Sequence, residues 1–365
     1  MSRTLKGLIL SGGKGTRLRP ITHTSAKQLI PVGNRPILFY AMDALVAAGI
    51  DDIGIITGDT ADEVEAAVGD GSSFGARCTY IRQEAPLGLA HAVLTARDFL
   101  AGSAFVMYLG DNLVRHGIIP IVDEFRATEP DAMILLARVS EPQHFGVAEL
   151  EDGRVVRLVE KPAVPRSDLA LVGVYLFTQA IFDAIDRIDY SPRGELEITD
   201  AIQEMIDQGK TVRAHIITAP HEALVATWKD TGRPEDLLEA NRIVLDDMPP
   251  RVDGDVGPDV RIEGKVVIEA GARLRNCTVR GPAIIGTGTL IDDAYIGPYT
   301  SISPDCTIRS AEIEHSIVLA GTTIENADGK IESSLIGKGC VIRRSPVRPR
   351  AYKLMLGDHS IVELR

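Results

Sequence analysis

The sequence is poor in cysteine, in aromatic residues and in long apolar runs. Its 365 residues contain four cysteines, one tryptophan and only 5% aromatic residues. The cysteines, at positions 78, 277, 306 and 340, form no C-x-x-C pair and have no histidine at metal-ligand spacing, which argues against a zinc site or a disulfide framework. We expect them to be buried thiols in a reducing compartment.

The shortage of long apolar runs excludes a second class of protein. No stretch reaches the roughly 18 unbroken apolar residues that a membrane-spanning helix needs. Residues 1–6 lead directly into a strand-like segment and lack the apolar core of a signal peptide. We therefore expect a cytoplasmic protein that has no membrane partner.

Positive charge is also scarce. Lysine and arginine number 39 against 51 aspartates and glutamates, which gives a net charge of −12 at pH 7. Such a surface repels phosphate backbones over most of its area, so general nucleic-acid binding is excluded, although a local basic pocket is not. Hydrophobic residues make up 45% and charged residues 25%, a balance that is typical of globular proteins and argues against disorder or a coiled coil.

The length predicts two domains, and the sequence pattern changes at residue 248. Across residues 1–247, short apolar runs alternate with helical patterns. We predict strands at 6–10, 53–57, 105–109 and 133–139, and helices at 36–48, 89–100, 118–128, 198–208 and 234–245. This alternation predicts an α/β fold with a Rossmann-like, mostly parallel sheet and helices on both faces. Ligands bind such sheets at the carboxyl ends of the strands.

Residues 248–365 show an aliphatic residue at every sixth position. The repeat includes Ile262, Ile268 and Leu274, then Ile284, Leu290, Ile296, Ile302 and Ile308, and later Val318 with Ile324 and Ile336 with Ile342. One inward aliphatic side chain per six residues predicts a hexapeptide-repeat parallel β-helix, in which each coil buries its aliphatic residues on its neighbours. The final residues, 351–365, lack the repeat, and we expect them to cap its open end.

A glycine-rich loop follows the first predicted strand. Residues 10–20 read LSGGKGTRLRP. The three glycines let the backbone approach a ligand closely, and two arginines and a lysine supply charge for a polyphosphate. The loop is neither a Walker A motif nor a complete G-x-G-x-x-G. Taken alone, it could equally be a structural tight turn.

The segments that follow make this loop specific. G-G-x-G-T-R-L-x-P-x-T at 12–22 is followed by K-Q-L-x-P-V at 27–32. Further segments are P-L-G-L-A at 86–90, L-G-D-N at 109–112, F-G-V at 145–147, E-K-P at 160–162, R-G-E-L-E-I-T-D at 193–200 and W-K-D-T-G at 228–232. Together they resemble the sugar nucleotidyltransferases, and more narrowly the long-form glucose-1-phosphate thymidylyltransferases, which carry a C-terminal left-handed β-helix. The resemblance covers nearly the whole chain.

The resemblance implies an enzyme that joins dTTP and α-D-glucose 1-phosphate to give dTDP-glucose and pyrophosphate, for deoxysugar biosynthesis. A sugar-phosphate oxygen attacks the α-phosphorus directly, so the protein has only to position two anions and neutralise their charge. By resemblance, the catalytic residues are Arg17, Lys27, Asp111 and Lys161. The implied cofactor is Mg²⁺, with Asp111 and Asp230 as its carboxylate ligands.

The same resemblance implies residues in both substrate pockets. The nucleotide site would comprise Leu10, Gly12, Gly13, Gly15, Thr16, Arg17, Gln83 and Gly88. The sugar-phosphate site would comprise Asn112, Gly146, Glu160, Lys161, Val172, Tyr175 and Arg193. Tyr175 could instead belong to the core, and Asn112 could simply fix its own turn. Arg193 could pair with Glu195 or Glu197 rather than contact a phosphate.

Gln83 resembles the base-reading residue of the thymidylyl branch. A glutamine amide donates to one edge atom of a pyrimidine and accepts from N3–H of the same ring. Thymine and uracil share that edge, so Gln83 does not separate them. The K-Q-L segment favours the thymidylyl branch, but the same chemistry with UTP or GTP and another hexose 1-phosphate stays open.

Two other functions are compatible with parts of the sequence. The β-helix could carry acyltransferase activity, which usually needs a general-base histidine between coils, and His315 is the only histidine inside the repeats. A non-enzymatic sensor with the same fold would be expected to lose charged site residues such as Lys27 or Asp111, and these are present. We expect the β-helix to serve mainly in assembly of a homo-oligomer.

Overall fold

The chain divides into two units. The first comprises Met1–Lys14, Ala26–Leu29 and Ile37–Asp230, and the second comprises Gly15–Ser25, Ile30–Pro36 and Thr231–Arg365. The computed structural model describes residues 5–13, 15–151, 153–217, 228–344 and 355–363. The glycine-rich loop is therefore shared between the units, since Gly12 and Gly13 belong to the first and Gly15 to the second.

A nine-stranded mixed sheet forms the centre of the first unit. Its strands are β1 Leu5–Leu10, β2 Asp52–Thr57, β3 Arg77–Arg82, β4 Ala104–Leu109, β5 Ala132–Arg138, β6 Gly146–Glu151, β7 Arg154–Glu160, β8 Leu169–Phe177 and β9 Val212–Ile216. Seven strands follow one path in the order β7-β6-β8-β4-β1-β2-β3, while β5 pairs with β8 and β9 pairs with β5. A separate two-stranded ribbon joins Asn112–Val114 to Trp228–Asp230.

One half of this sheet is parallel and the other is largely antiparallel. Strands β4, β1, β2 and β3 run in the same direction. Strand β8 is antiparallel to β4, β5 and β6, and β6 and β7 form an antiparallel hairpin. The predicted α/β architecture is confirmed, but the sheet is more mixed than predicted. Strands β6, β7 and β8 are joined by short connections, which favour antiparallel neighbours, because parallel ones need a crossover.

Helices cover the sheet and also extend into the second unit. Within the described residues they are α1 Ile37–Ala47, α2 Ala61–Val68, α3 Leu89–Thr95, α4 Arg97–Leu100, α5 Ile119–Thr128, α6 Ala180–Ile185, α7 Ile198–Asp207 and α8 Pro234–Asp247. Short 3-10 turns lie at Thr16–Leu18, Ile21–His23, Lys27–Leu29, Ser72–Phe74 and Pro142–His144. The helix predicted over 89–100 is interrupted at Ala96 and is therefore two helices, α3 and α4.

Strand β1 is buried on both faces of the sheet. Leu8 and Leu10 belong to one hydrophobic cluster and Ile9 to the other, because successive side chains of a strand point to opposite faces. This explains why the strand is an unbroken apolar run in the sequence. The buried strand also holds the start of the glycine-rich loop rigidly at the edge of the sheet.

A parallel β-helix forms most of the second unit. Its first face contains Arg251–Val252, Val266–Ile268, Ala283–Ile285, Thr300–Ile302, Ile317–Val318 and Leu335–Ile336. The second contains Asp255–Val256, Arg273–Arg275, Leu290–Ile296, Thr307–Glu314, Thr323–Glu325 and Val341–Arg343. Arg261–Glu263, Thr278–Arg280 and Lys330–Glu332 form the third with the ends of the two longest strands. The predicted hexapeptide-repeat β-helix is confirmed, and its strands are consistent with a left-handed one.

Each coil of the β-helix is one residue shorter than three full hexapeptides. Ile268 and Ile285 lie in register on one face and are 17 residues apart. The strict six-residue period therefore loses its phase after the first coil. Ile285 and Ile291 fill the interior in place of the predicted Ile284 and Leu290, and Ile284 packs outward against the end of α8.

Two predictions concern features outside the main elements. Among the described residues, no helix is both long enough and apolar enough to cross a bilayer. The cap predicted for 351–365 falls in part on residues 351–354 and 364–365, which lie outside the described residues. In the described part of this tail, the ring of His359 stacks on that of His23 with centroids 6.3 Å apart, and Gly357 lies against Pro20.

Candidate active site

The carboxyl ends of β1 and β2 meet where the glycine-rich loop begins. The Ser11 amide donates to the Ile56 carbonyl over 2.8 Å, and Gly110 donates to the Leu10 carbonyl over 3.0 Å. The Leu10 side chain is buried in the core, so only its backbone is available to a ligand. Gly12 lies so close to β2 that a Cβ on Gly58 would be 3.0 Å from the Gly12 carbonyl oxygen. Close approach of the two backbones therefore requires small residues here.

Gln83 lies beside Gly12 at this edge of the sheet. Its amide donates to the Thr57 carbonyl over 2.9 Å, which continues the β2–β3 pairing. Its side-chain oxygen, Oε1, would be 3.6 Å from a Cβ on Gly12, and its Nε2 is 2.9 Å from Nδ1 of His91. The structure thus brings together two of the residues predicted for the nucleotide site.

Gly88, the second residue predicted to read the base, begins helix α3. Its φ of 105° is strained for other residues, and a Cβ would lie 2.3 Å from the Leu196 carbonyl oxygen. Leu196 also donates to the Leu87 carbonyl over 2.8 Å and accepts from Ala90 over 3.1 Å. The P-L-G-L-A and R-G-E-L-E-I-T-D segments are therefore held together by backbone hydrogen bonds.

Lys27 and Asp111 form an ion pair in which the side chains are 12% and 19% exposed. Asp111 follows β4 and also accepts a 3.0 Å hydrogen bond from Nδ2 of Asn112. Burial acts to raise the pKa of the Asp111 carboxyl, but the charge of Lys27 and these hydrogen bonds outweigh it and lower the pKa. The carboxylate is therefore held in its charged form. Two of the predicted catalytic residues are in direct contact.

Asp230 lies next to this pair through the two-stranded ribbon. It is the direct partner of Asn112 in the antiparallel register, one residue from Asp111. The two aspartates offer carboxylate oxygens, which suit Mg²⁺ because that ion takes its remaining ligands from water and substrate phosphate. Across the ranges that the structure describes, no group of three or more His, Cys, Asp or Glu side chains gathers as a metal cage. A cation here would thus depend on oxygens of the substrate.

Asn112 uses both ends of its amide within the protein. Its Oδ1 accepts a 2.6 Å hydrogen bond from the indole N–H of Trp228, and its Nδ2 donates to Asp111. Asn112 is 2% exposed. Of the two interpretations given by the sequence, these contacts favour the one in which Asn112 fixes its own turn and holds the carboxylate.

Glu160 and Gly146 are direct partners in the β6–β7 hairpin. A Cβ on Gly146 would lie 2.8 Å from the Thr199 methyl carbon and 3.2 Å from Glu160 Oε2. A larger residue would therefore displace one of these side chains. Lys161, at the strand end, has a φ of 41° and a 3.2 Å ion pair with Glu160. The structure brings together three of the residues predicted to bind the sugar phosphate.

Arg193 is surrounded by carboxylates. It contacts Glu197 at 2.8 Å, Glu160 at 3.1 Å and Glu195 at 3.6 Å. Burial acts to lower the pKa of the Arg193 guanidinium, but the hydrogen bond to Glu197 and the surrounding carboxylates outweigh it and raise the pKa. The pairing with Glu195 and Glu197 that the sequence left open is present. Arg193 also reaches Glu160, and so remains beside the predicted sugar site.

Val172 and Tyr175 of β8 have their side chains in the hydrophobic core. Val172 is 0% exposed and Tyr175 is 4% exposed. The Tyr175 ring stacks on Phe177 with centroids 6.0 Å apart, and burial raises the pKa of its hydroxyl. The core alternative for Tyr175 matches these contacts, and Val172 offers only its backbone to a ligand.

The remaining residues predicted in the glycine-rich loop belong to the second unit. Gly15 adopts a left-handed φ of 59° and begins the Thr16–Leu18 turn. Its carbonyl accepts from Leu18 over 2.9 Å and from the Thr22 hydroxyl over 2.7 Å. Thr16 and Arg17 are exposed, which leaves both side chains accessible to a ligand. Lys14, also part of the predicted loop, lies outside the described residues.

Three residues that were given no site role contact the site residues. His91 contacts Gln83, Trp228 holds Asn112, and Gln28 lies beside Gly13, whose Cβ would be 3.6 Å from its Nε2. Gln28 is 2% exposed, and its Oε1 has no hydrogen-bond partner among the described residues. Gln28 and Trp228 stand inside segments that carry the family resemblance, and Trp228 is the single tryptophan. Those two signals could have identified them.

His315 does not have the exposed position that an acyl-transfer base needs. Its Nε2 is buried without a partner among the described residues, and its ring packs edge-on against Tyr299 with centroids 6.2 Å apart. Its Nδ1 is 3.5 Å from the Ser333 hydroxyl. A general base must reach a substrate proton, so these contacts do not favour the acyltransferase alternative.

Comparison with known proteins relates this site to a family. The family model described as nucleotidyl transferase matches residues 6–247. Glucose-1-phosphate thymidylyltransferase of Streptomyces griseus is 54% identical over 361 residues, covering 99% of each chain. The protein of the same name from Streptomyces antibioticus is 53% identical over 363 residues, covering 99% of this chain and all of the relative.

A solved structure is similar to the first part of the chain. It is a Bacillus anthracis protein, described as a glucose-1-phosphate thymidylyltransferase and crystallised with sucrose. The two superpose with a TM-score of 0.60 at 36% identity, covering 65% of this chain and 94% of that one. Similarity to the Streptomyces relatives, by contrast, extends through the β-helix as well.

Proposed function

Because the chain belongs to the nucleotidyl transferase family, we propose that it joins dTTP and α-D-glucose 1-phosphate to give dTDP-glucose and pyrophosphate. The observation that carries this proposal is the Lys27–Asp111 pair at the end of β4, with Asp230 beside it. The pair lies in a chain that is 53–54% identical over nearly its full length to two thymidylyltransferases. The product would supply a deoxysugar pathway.

The reaction is a single displacement. An oxygen of glucose 1-phosphate forms a bond to the α-phosphorus, the bond from that phosphorus to its bridging oxygen breaks, and pyrophosphate leaves with the electron pair. No protein nucleophile is needed, so the catalytic work is alignment and charge neutralisation. Lys27 and Arg17 supply positive charge to the triphosphate. Asp111 and Asp230 would hold Mg²⁺, which when bound withdraws charge from the phosphate oxygens.

The two substrates would be recognised by different groups of residues. Backbone amides of the glycine-rich loop, including those of Gly13, Gly15 and Thr16, suit the phosphates, because successive N–H groups form an anion site. Gln83 would accept N3–H of the base, with Gly88 leaving room beside it. The resemblance therefore assigns the nucleotide to the edge formed by β1, β2 and β3.

The sugar phosphate would bind near the β6–β7 hairpin. Glu160 would accept hydrogen bonds from sugar hydroxyls, and Lys161 would hold the phosphate. Gly146 leaves the space that a side chain would fill. Arg193 and Asn112 would act by orienting Glu160 and Asp111, while Val172 and Tyr175 would line the pocket by backbone and ring edge. We further place the enzyme in the cytoplasm and assign the β-helix to homo-oligomer assembly.

The test is pyrophosphate release, with and without Mg²⁺, over a matrix of substrates. One axis is dTTP, UTP, GTP, CTP and ATP, and the other is the 1-phosphates of glucose, galactose, mannose and N-acetylglucosamine. We expect the highest kcat/KM for dTTP with glucose 1-phosphate and none with chelator present. A maximum with GTP or UTP would retain the reaction and overturn the assigned base. Silence across the matrix would overturn the proposal and favour a sensor or acyltransferase.

A further inference from the structure

The Gln83 amide has a defined direction. Its Nε2 is 2.9 Å from Nδ1 of His91 and 3.4 Å from the Gly88 carbonyl oxygen, and its Oε1 faces Gly12. A carbonyl oxygen accepts hydrogen bonds and never donates them, so the NH₂ group belongs on the side of Gly88 and His91. His91 must then accept at Nδ1, which requires a neutral ring with its proton on Nε2.

The direction of this amide decides which bases it accepts. With Oε1 facing Gly12, Gln83 offers an acceptor to the base, which suits the N3–H donor of thymine or uracil. Cytosine has a lone pair at N3, so the same oxygen would repel it. An amide turned by 180° would present N–H instead and favour cytosine. Uncommitted, the side chain could serve both, because its two ends have nearly the same shape.

We propose that His91 is a positioning residue that fixes the Gln83 amide with its oxygen toward the base, and so selects pyrimidines that carry N3–H. This inference rests on the proposed function, which places the base beside Gln83. His91 would act without touching the substrate. It lies in the first turn of α3, directly after Gly88, so the helix that begins at the base site also carries the group that orients the base reader.

Helix α3 holds His91 firmly. Gly88 and Ala90 are tied to Leu196, since the Gly88 backbone lies against it and Ala90 donates to its carbonyl over 3.1 Å. The Thr95 hydroxyl donates to the His91 carbonyl over 2.9 Å, one turn further along the helix. His91 and Gln83 are both half-buried, so their contact is partly shielded from competing water.

The test compares dTTP with CTP in the wild type and three variants. The quantities are kcat/KM with glucose 1-phosphate and, independently of turnover, the Kd of each nucleotide by calorimetry. His91→Phe removes the acceptor but keeps a flat ring, so the dTTP:CTP ratio should fall about tenfold, within the range of one base-selective hydrogen bond. His91→Lys offers only donors and should lower the ratio further. His91→Asn restores an acceptor at the position of Nδ1 and should keep the ratio near that of the wild type.

A matched control and a second substrate separate this role from a structural one. Thr95→Val alters the same helix but leaves the Gln83 contact, so its dTTP:CTP ratio should not change. Selectivity between glucose and galactose 1-phosphates should be the same in all variants. A ratio in His91→Phe and His91→Lys within twofold of the wild type, while the wild type prefers dTTP, would overturn the role of His91 and leave the proposed function standing. A wild type that does not prefer dTTP or UTP over CTP would overturn the base assignment itself.

Discussion

Trp228 donates its indole N–H to Oδ1 of Asn112 over a distance of 2.6 Å. Asn112 passes this constraint on, because its Nδ2 donates to the Asp111 carboxylate, which is paired with Lys27. A chain of contacts therefore runs from the single tryptophan to the predicted metal ligand. Such networks fix the orientation of a charged group that must meet its substrate in one geometry.

Replacing Trp228 tests this chain of contacts. In Trp228→Phe the ring volume is largely kept, but the buried Oδ1 of Asn112 loses its donor. We expect the free energy of unfolding to fall by about 1–3 kcal/mol and kcat to fall about tenfold. Urea denaturation followed by circular dichroism and steady-state pyrophosphate release measure the two effects. Phe145→Leu is the matched control, because it removes the ring packed edge-on against Trp228 and keeps the hydrogen bond. Wild-type turnover in Trp228→Phe would contradict the positioning role.

Asp111→Asn removes the charge that faces Lys27. The variant should fold, since an amide fits the same space, but kcat/KM should fall about 10²–10³-fold, as is usual when one preorganised charge is lost. The Mg²⁺ concentration needed for half-maximal activity should rise. Asp168→Asn is a suitable control, because Asp168 also pairs with an arginine after a strand but is half exposed. Undiminished activity, or an unfolded Asp111→Asn protein, would count against the assigned role.

The sequence predicted the fold class correctly because its signals were local and periodic. Buried strands such as β1 are unbroken apolar runs, and the β-helix repeats an aliphatic residue at nearly constant spacing. The antiparallel half of the first sheet was missed because β6 and β7 alternate polar and apolar residues over a short hairpin. The phase of the β-helix was wrong by one residue at Ile284 and Leu290, since the coil length of 17 is set by packing at the corners rather than by the repeat.

Site residues were predictable where a backbone constraint selects the residue type. Gly88 and Gly146 are required because a Cβ would meet the Leu196 carbonyl or the Thr199 methyl. The supporting residues were harder to identify. No pattern links His91 to Gln83 or Trp228 to Asn112, because these contacts form only after distant segments pair in the folded chain. The side-chain directions of Val172 and Tyr175 likewise depend on which face of β8 meets the core.

Burial makes two cysteines unreactive at neutral pH. It raises the pKa of Cys78 and of Cys277 to about 11 each, with nearby aspartates adding to the effect. The thiolate is the reactive form, so at pH 8 roughly one thiol in a thousand is ionised at these positions, against about a quarter for an ordinary cysteine. Iodoacetamide labelling read by peptide mass spectrometry should be slow in the native protein and fast in guanidinium chloride. Because the pKa values are higher in the folded state, ionisation favours unfolding, and stability should decrease as the pH rises above about 9. Rapid native labelling of Cys277 would contradict this.

Asn241 of α8 joins three backbone segments of the second unit. Its Oδ1 accepts from the Gly33 amide over 2.9 Å and from the Ser301 hydroxyl over 2.6 Å, and its Nδ2 donates to the Tyr299 carbonyl over 3.1 Å. The side chain is 0% exposed. The hairpin that contains Gly33 directly follows the K-Q-L segment in the chain, so this amide anchors the chain just beyond Lys27.

Asn241→Leu keeps the volume of the side chain and removes every one of these hydrogen bonds. Three buried polar groups would lose their partner, so the free energy of unfolding should fall by about 3 kcal/mol or more. Urea denaturation gives the change. Glu239→Gln on the same helix is the control, because its pairing with Arg242 is partly exposed and should contribute no more than about 1 kcal/mol. If the network also holds the segment after Lys27, KM for dTTP should rise in Asn241→Leu below its melting transition and stay unchanged in Glu239→Gln. Equal stability of the two variants would show that the Asn241 contacts are not required.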